Sequence, residues 1–495
     1  MQLLDARALF ALFAGSFVVA TACGSDRQFG ARSAGGAAGA AGDRASNGGS
    51  SHGGSKPSSS GEAGADFAGA AGADAGEGGE SGSGGEAGAE TSNGGNGAGG
   101  QPATPECGAL GGPCCEPGTC KTTNATCSAA ACACSPSYSA CGVSCVNLKT
   151  DPKNCGVCGH SCLGGTCDLG SCQPTTVATG QLRLSRMATD GNYLYWSGAA
   201  ASGTPYYVAR VRVDGTGGVK VLAATEDGAG ALAVTTDKVY WISKGQLRSC
   251  DIPDCAAGPS NAITTATANG VSGDMLYEPG KKALYWSRGA TYNTKDGTLY
   301  TLASGASTPT VVGTNPSNPG ALVSDASNVY WINSSTYTTD NWNADGGLWR
   351  VRLSDGTVTQ LAASMKGDIS YLAISGATLY FAGNIAVPNS NPLTTTTAIL
   401  SAPLPNGLGT GMQPQFAPAK NVRGMEADSK YLYFADESGS QGTISRCPAA
   451  ACPTPETIVP GLYSPYLGAQ DAAAIYFAAS SASAVTSYTI QRLAK

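Results

Sequence analysis

Short alternating runs of apolar and polar residues extend from residue 175 to residue 495, and one local pattern recurs within them. An aliphatic residue followed by two aromatic residues occurs seven times, and successive tyrosines lie 45, 45, 45, 50, 53 and 43 residues apart. The seven motifs are Leu194-Tyr195-Trp196, Val239-Tyr240-Trp241, Leu284-Tyr285-Trp286, Val329-Tyr330-Trp331, Leu379-Tyr380-Phe381, Leu432-Tyr433-Phe434 and Ile475-Tyr476-Phe477. Such a period indicates a repeated structural unit.

Each motif has the same surroundings. A strand of small residues and a tight polar turn precede it, and a variable loop, a Gly-x-(Leu/Ile) strand and one further strand follow it. Adjacent residues of a strand point to opposite faces, so the two aromatic side chains enter opposite sides of their sheet. Both faces must then be buried by neighbouring sheets. The pattern predicts an all-β fold, a seven-bladed β-propeller over residues 175–495, with the aromatic pairs as structural core.

The two ends of this region complement each other. The last repeat stops after Ile490 without an outer strand, whereas an unmatched strand, Thr175-Thr-Val177-Ala178, comes before the first repeat. We expect the strand around Val177 to complete the last blade, because ring closure removes open sheet edges.

The aromatic pair resembles the YWTD-type repeat of low-density lipoprotein receptor-like propellers. Here Thr-Asp never follows the pair, and YWTD propellers have six blades where seven motifs are present. The resemblance therefore implies the architecture and leaves the ligand open.

The amino terminus has the pattern of an export signal. Residues 8–19 are apolar or small and too few to cross a bilayer comfortably, and Ala20-Thr21-Ala22-Cys23 follows them. This run resembles the lipobox of bacterial lipoproteins, which implies a signal peptide over residues 1–22, a lipid anchor on Cys23, and a location at the outer membrane or cell surface. The alternative is ordinary secretion after cleavage behind Ala22.

Two further segments precede the propeller. Residues 23–104 are rich in Gly, Ala and Ser and lack large aliphatic residues, which predicts a disordered tether. Residues 105–174 hold fourteen of the nineteen cysteines and predict a small disulfide-rich module. Each half of this module, divided between Cys134 and Cys141, has seven cysteines, so either one bridge crosses or a thiol stays free.

The second half of the module has the run Asp151-x-x-Asn-Cys155-Gly-x-Cys158-Gly-x-x-Cys162. This run resembles the stigma-specific cysteine-rich family, which implies a disulfide-stapled extracellular module without catalytic residues. Zinc on Cys155 and Cys158 with His160 or Cys162 is the alternative, and predicted export favours disulfides. Two more pairs, Cys250/Cys255 and Cys447/Cys452, occupy equivalent repeat positions and predict local hairpin disulfides.

Several chemistries are disfavoured. The only histidines are His52 and His160, so the propeller has no Ser-His-Asp or Cys-His catalysis and no histidine metal site. No cofactor or metal is expected. The formal net charge is −6 and no basic stripe is present, which argues against a nucleic-acid partner.

Long loops follow the aromatic strands of the third, fourth and fifth repeats. We expect neighbouring loops to form one patch that binds an unknown protein or glycan without catalysis. The candidate ligand-binding residues are Tyr292, Asp296, Tyr337, Asp340, Trp342, Asn343 and Asp345. The alternatives are an extracellular polysaccharide hydrolase or lyase that uses funnel carboxylates (Asp274, Asp368 and Glu426), and a purely structural envelope protein.

Overall fold

The computed structural model describes most of the chain after residue 105. The described residues are 106–182, 184–199, 206–225, 230–243, 245–259, 271–289, 297–314, 319–338, 341–342, 345–365, 367–386, 395–404, 415–437, 441–480 and 487–495. Their regular secondary structure is all β, and the prediction of an all-β propeller preceded by a disulfide-rich region is confirmed. A helix long and apolar enough to cross a bilayer is not found within these ranges.

Short hairpins make up the disulfide-rich region. Its strands are β1 (Ala125–Ser128), β2 (Ala131–Cys134), β3 (Ser139–Cys141), β4 (Ser144–Val146), β5 (Cys167–Asp168) and β6 (Ser171–Cys172). Each consecutive pair forms one antiparallel ladder.

Strands of the first three repeats, together with the strand that precedes them, are β7 (Thr175–Gln181), β8 (Arg186–Thr189), β9 (Tyr193–Ala199), β10 (Tyr206–Arg212), β11 (Lys220–Thr225), β12 (Leu232–Val234), β13 (Lys238–Ser243), β14 (Gln246–Asp251), β15 (Val271–Glu278), β16 (Ala283–Gly289), β17 (Thr298–Ala303) and β18 (Thr310–Thr314). Each repeat is an antiparallel meander in chain order.

Strands of the remaining repeats are β19 (Pro319–Ser324), β20 (Asn328–Asn333), β21 (Tyr337–Thr338), β22 (Asn341–Trp342), β23 (Gly346–Arg352), β24 (Val358–Met365), β25 (Gly367–Ser375), β26 (Thr378–Ala386), β27 (Thr395–Pro403), β28 (Gln415–Pro418), β29 (Val422–Ala427), β30 (Tyr431–Asp436), β31 (Gly442–Pro448), β32 (Glu456–Gln470), β33 (Ala474–Ser480) and β34 (Tyr488–Ala494). The long strand β32 is the last strand of the sixth repeat and the first strand of the seventh.

The ring closes through the two ends of the repeat region. Strand β7 pairs with β34, and Ala178 lies opposite Ile490 in this ladder. The predicted strand closure is confirmed. The edge that β34 would otherwise leave open is therefore paired by the chain that enters the propeller.

The aromatic pairs bury themselves in the layers between neighbouring repeats. Tyr195 packs in one cluster with Trp241 of the second repeat, whereas Trp196 packs in another with Tyr476 of the seventh. The other aromatic pairs divide between two clusters in the same way. The reason is that adjacent residues of one strand face opposite sides of its sheet. These side chains are core, as the sequence predicts.

The meander gives the propeller two distinct faces. The connections from first to second strand and from third to fourth strand lie on one face, which we term the turn face. The connections from second to third strand lie on the other, which we term the loop face. A hydrogen bond from the Lys495 amide to the Ala473 carbonyl ties the end of the last strand to the turn face.

The fourteen cysteines of residues 106–174 form seven disulfides. The pairs are Cys107–Cys115, Cys114–Cys127, Cys120–Cys132, Cys134–Cys145, Cys141–Cys158, Cys155–Cys167 and Cys162–Cys172. The Cys134–Cys145 bridge crosses between the two halves, as their odd cysteine counts require if no thiol stays free. The zinc alternative fails, because its cysteine ligands are all consumed in disulfides.

Candidate functional site

A central channel of about 410 Å³ runs between the repeats. The first strand of every repeat lines it, from β8 through β12, β15, β19, β25 and β29 to the second half of β32. Its wall combines small aliphatic residues with polar and charged side chains. Two of the three sequence-predicted carboxylates, Asp274 and Glu426, lie on this wall, and the side chain of Asp368 lies outside the described residues.

Asp274 is joined across the channel to Arg186, two repeats away. The Arg186 Nε donates to Asp274 Oδ1 at 3.3 Å, and the same oxygen accepts the amide of Met275 at 3.0 Å. The other oxygen accepts the Leu322 amide at 3.1 Å. The carboxylate thus connects the first strands of the first, third and fourth repeats.

Arg186 has further partners of its own. Its terminal nitrogens donate to the carbonyls of Ser185 at 3.3 Å and Gly273 at 3.5 Å. Burial alone would lower the pKa of this guanidinium, but attraction to Asp274, Tyr466 and Tyr371 outweighs burial and raises that pKa above its usual value. Arg186 therefore stays charged and connects the first and third repeats through Asp274.

Tyr466 belongs to the same network. Its hydroxyl donates to the Ser185 carbonyl at 3.2 Å. Burial raises the pKa of this phenol to about 12, although the neighbouring Arg186 opposes the shift. The phenol is neutral over the physiological range and acts as a hydrogen-bonding group.

Glu426 lies in a second polar group on the channel wall. Burial raises the pKa of its carboxyl to about 7, against the opposing charge of Lys495 and a hydrogen bond with Gln470. The Lys495 Nζ donates to Gln470 Oε1 at 2.6 Å and pairs with Asp428 Oδ2 at 3.3 Å. The charge of Glu426 therefore changes near neutral pH.

The predicted ligand-binding residues of the fourth repeat frame a small hairpin on the loop face. Tyr337 in β21 lies directly opposite Trp342 in β22. At its base, Asp345 accepts the Thr336 amide at 2.8 Å and the Thr336 hydroxyl at 2.6 Å. Sequence reasoning expected a loop here, and the Asp345 clamp gives this residue a structural role; its part in ligand binding stays a prediction.

Other predicted site residues fall outside the described part of the chain. These residues are Cys23, Tyr292, Asp296, Asp340 and Asn343. The predicted signal peptide and tether also lie outside it.

The hairpin disulfides are both present, at Cys250–Cys255 and Cys447–Cys452. Each closes a loop on the turn face that reaches the preceding repeat. Arg210 of the first repeat donates to the Pro253 carbonyl inside the first loop at 2.8 Å, and Tyr380 of the fifth repeat donates to the Ala449 carbonyl inside the second. The disulfide loops therefore join neighbouring repeats.

A recurring polar triad on the turn face escaped the sequence reasoning. In four repeats an Asp five residues before the motif tyrosine accepts its hydroxyl, at distances from 2.6 to 3.3 Å, and an Arg lies opposite that tyrosine in the third strand. The triads are Asp190–Tyr195–Arg210, Asp325–Tyr330–Arg350, Asp428–Tyr433–Arg446 and Asp471–Tyr476–Arg492. The other three repeats have Thr235, Gly280 or Ser375 at the first position and Ser249, Thr301 or Ser401 at the last. The aspartate and the arginine are therefore either both present or both absent in a repeat, and the sequence shows this pattern.

The solved structures that resemble this chain are distant from it in sequence. No family model and no curated protein matches the chain. Among solved structures, an oligogalacturonate lyase in complex with manganese is 12% identical, covering 66% of this chain and 94% of its own, with a TM-score of 0.48. The β-propeller domain of the Trilobed protease from Pyrococcus furiosus is 9% identical, covering 63% and 95%, with a TM-score of 0.46. A nidogen/laminin complex is 14% identical, covering 55% and 90%, with a TM-score of 0.30.

Proposed function

We propose that this protein is an exported envelope lipoprotein, anchored through Cys23, whose propeller recognises a protein or a glycan without catalysis. On this proposal residues 1–22 are a signal peptide, residues 23–104 are a tether, and residues 105–174 are an adornment module of the stigma-specific type. The loop face is the recognition surface.

The observation that carries this proposal is the unequal use of the two faces. The turn face is occupied by the disulfide loops, by the polar triads and by contacts from the disulfide-rich region. The loop face carries the hairpin of β21 and β22, clamped at its base by Asp345. The contact between Asp345 and Thr336 already fixes the base of this segment, which lowers the cost of ordering it there when a ligand binds.

The hydrogen bonds that Asp274 accepts support a binding function over a catalytic one. A general acid or base must exchange a proton with substrate, and both oxygens of this carboxylate already accept hydrogen bonds, one of them from Arg186. Of the two funnel carboxylates that the structure describes, Glu426, with a pKa of about 7, is the one that suits a general acid in a hydrolase or lyase. That activity is the second candidate function.

The test is a binding screen of the full-length protein against glycan arrays and secreted proteins, coupled to a turnover assay on polysaccharides. We expect binding that Trp342→Ala abolishes, while the melting temperature stays unchanged. Val219→Ala, which alters an exposed residue on the turn face, is the matched control and should bind normally. Turnover that disappears in Glu426→Gln would show that the protein is an enzyme and would refute the proposal. The absence of both binding and turnover would favour a structural role.

A further inference from the structure

Four large polar side chains lie at one level of the central channel, and we term them the polar floor: Arg186, Asp274, Tyr371 and Tyr466. They belong to the first strands of the first, third, fifth and seventh repeats. Each comes directly before the residue that pairs with the second aromatic residue of its motif, so strand pairing places them at equal height. The intervening repeats have small residues at this level, namely Ala231, Ala321 and Gly424.

The side chains of the polar floor meet across the channel. Arg186 donates to Asp274 at 3.3 Å, and attraction to both floor tyrosines adds to the interaction of its guanidinium with that carboxylate. Solvent still reaches the ion pair, because the side chains of Arg186 and Asp274 keep 32% and 20% of their surface exposed. The floor is therefore a preformed polar surface that a small molecule in the channel can contact.

The cavity above this floor extends toward the turn face. Each first strand runs from the loop face to the turn face, since it ends at the turn into the second strand. Apart from Ser370, every residue that lines the cavity lies at the floor or between the floor and the turn face, as far as Thr189, Tyr277 and Gln470. The cavity thus lies on the opposite side of the floor from the hairpin of β21 and β22, and it does not depend on the proposed function of the loop face.

The charges of the cavity disfavour ionic ligands. Among the described residues that line it, the charged ones are Arg186, Asp274 and Glu426. Asp274 compensates Arg186, while Lys495, which lies beside Glu426, is itself paired with Asp428 at 3.3 Å. An anion would face two carboxylates and a cation would face the guanidinium, so a neutral ligand fits the cavity best.

The hydrogen-bonding groups of the floor match hydroxyl groups. A carboxylate has about four acceptor positions, and the described contacts of Asp274 use three of them, from Arg186, Met275 and Leu322. A guanidinium donor and a carboxylate acceptor side by side suit a hydroxyl, which accepts from one and donates to the other. The Tyr277 ring on the wall offers an apolar surface for the C–H face of the same ligand.

We propose that this cavity is a binding site for a free neutral sugar of one or two residues, with its hydroxyl groups on Arg186 and Asp274. The volume of about 410 Å³ falls within the range of small-molecule sites, about 300–1,000 Å³. The ligand enters from the turn face and reaches the polar floor with its hydroxyl-bearing edge.

Isothermal titration calorimetry of the full-length, oxidised protein at pH 8 tests this site. The neutral probes are glucose, galactose, mannose and cellobiose, and glucuronate supplies the same ring with a negative charge. We expect a neutral sugar to bind and glucuronate to bind at least about tenfold more weakly than glucose, because its carboxylate meets Asp274 and Glu426. Binding of none of the neutral probes, or equal binding of glucuronate and glucose, would overturn the proposal.

Asp274→Asn supplies the second arm, because asparagine keeps the size of the side chain and leaves Arg186 uncompensated. We expect neutral sugars to bind about tenfold more weakly and glucuronate to become the preferred ligand, an inversion that an unfolded variant cannot produce. Unchanged binding of neutral sugars in this variant would contradict the role of the floor.

Glu426→Gln decides the matter if Asp274→Asn does not fold. It removes the other negative charge of the cavity, so glucuronate should bind severalfold more tightly than to the unaltered protein at pH 8. Val219→Ala, outside the cavity, is the matched control and should keep every affinity. An unchanged affinity for glucuronate in Glu426→Gln would refute the charge selection on which the proposal depends.

Discussion

Replacement of Tyr195 by phenylalanine removes one hydroxyl from a fully buried aromatic pair. That hydroxyl donates to Asp190 Oδ2 at 3.0 Å. The other Asp190 oxygen already accepts the amides of Asn192 at 2.8 Å and Tyr193 at 2.7 Å, which shape the turn between the first two strands. The substitution leaves the packing of the ring intact and takes one partner from a carboxylate that organises a turn.

The expected loss follows from the charge of the acceptor. Hydrogen bonds to charged groups contribute roughly 1.5–3 kcal/mol, against about 1 kcal/mol for neutral pairs. Tyr195 is 0% exposed, so water does not easily replace the lost donor. We expect Tyr195→Phe to lower the free energy of unfolding by about 2 kcal/mol.

Tyr285→Phe is the matched control. This tyrosine occupies the same motif position, but Gly280 stands five residues before it in place of the aspartate. Guanidinium unfolding followed by tryptophan fluorescence measures both variants, and the control should lose less than half as much. Equal losses would refute the triad as the source of the effect.

The same triads predict an alkaline transition. Burial first, and then the charge of Asp190, raise the pKa of Tyr195 above its ordinary value. The folded state therefore holds this proton more tightly than the unfolded chain, so the stability it contributes is complete below about pH 10 and falls as the pH rises beyond that value. Tyr195→Phe should make the decline of melting temperature above pH 10 less steep, and an unchanged slope would contradict this origin.

Three further variants test other features of the fold by thermal melting. Gly424→Ala should cost about 3 kcal/mol or more, because its Cβ would lie 1.9 Å from the Leu467 carbonyl oxygen at a φ of +122°; a loss below 1 kcal/mol would show that the two strands can separate. The raised pKa of Glu426 means that stability falls as pH rises from about 4.5 to about 7, so Glu426→Gln should flatten this slope and gain on the order of 2 kcal/mol above pH 7. Replacing Cys250 and Cys255 by alanine should cost about 2 kcal/mol through the short loop that they close, and an unchanged melting temperature would show that the loop is held without its disulfide.

The repeat architecture was predictable because the same sequence pattern recurs in each repeat. An aromatic pair such as Tyr195 and Trp196 must fill two layers at once, and this requirement alone indicates sheets stacked on both sides. Ring closure followed from an unmatched strand around Val177 at one end and a missing strand after Ile490 at the other. These inferences depend on local periodicity, which a single sequence displays directly.

The candidate sites were less predictable because they join residues that the sequence separates widely. Arg186 and Asp274 are 88 positions apart, and no local pattern marks them as an ion pair. Tyr466 and Ser185 are 281 positions apart, and their contact depends on the closure of the ring. Sequence reasoning placed Asp274 at the channel correctly but could not see that its charge is already neutralised there.

Polar contacts between neighbouring repeats lie on the turn face of the propeller. Arg210 illustrates the arrangement: it faces the buried Tyr195 from its own sheet and donates to the disulfide loop of the next repeat. This contact joins the first and second repeats on the turn face, and the bond from Tyr380 to Ala449 joins the fifth and sixth repeats in the same way. The connections of the loop face are then free to vary in length, as those after the motifs of the third, fourth and fifth repeats do. On the proposed function, a change in a loop-face residue should alter recognition with little cost in stability, whereas a change in a triad should do the reverse.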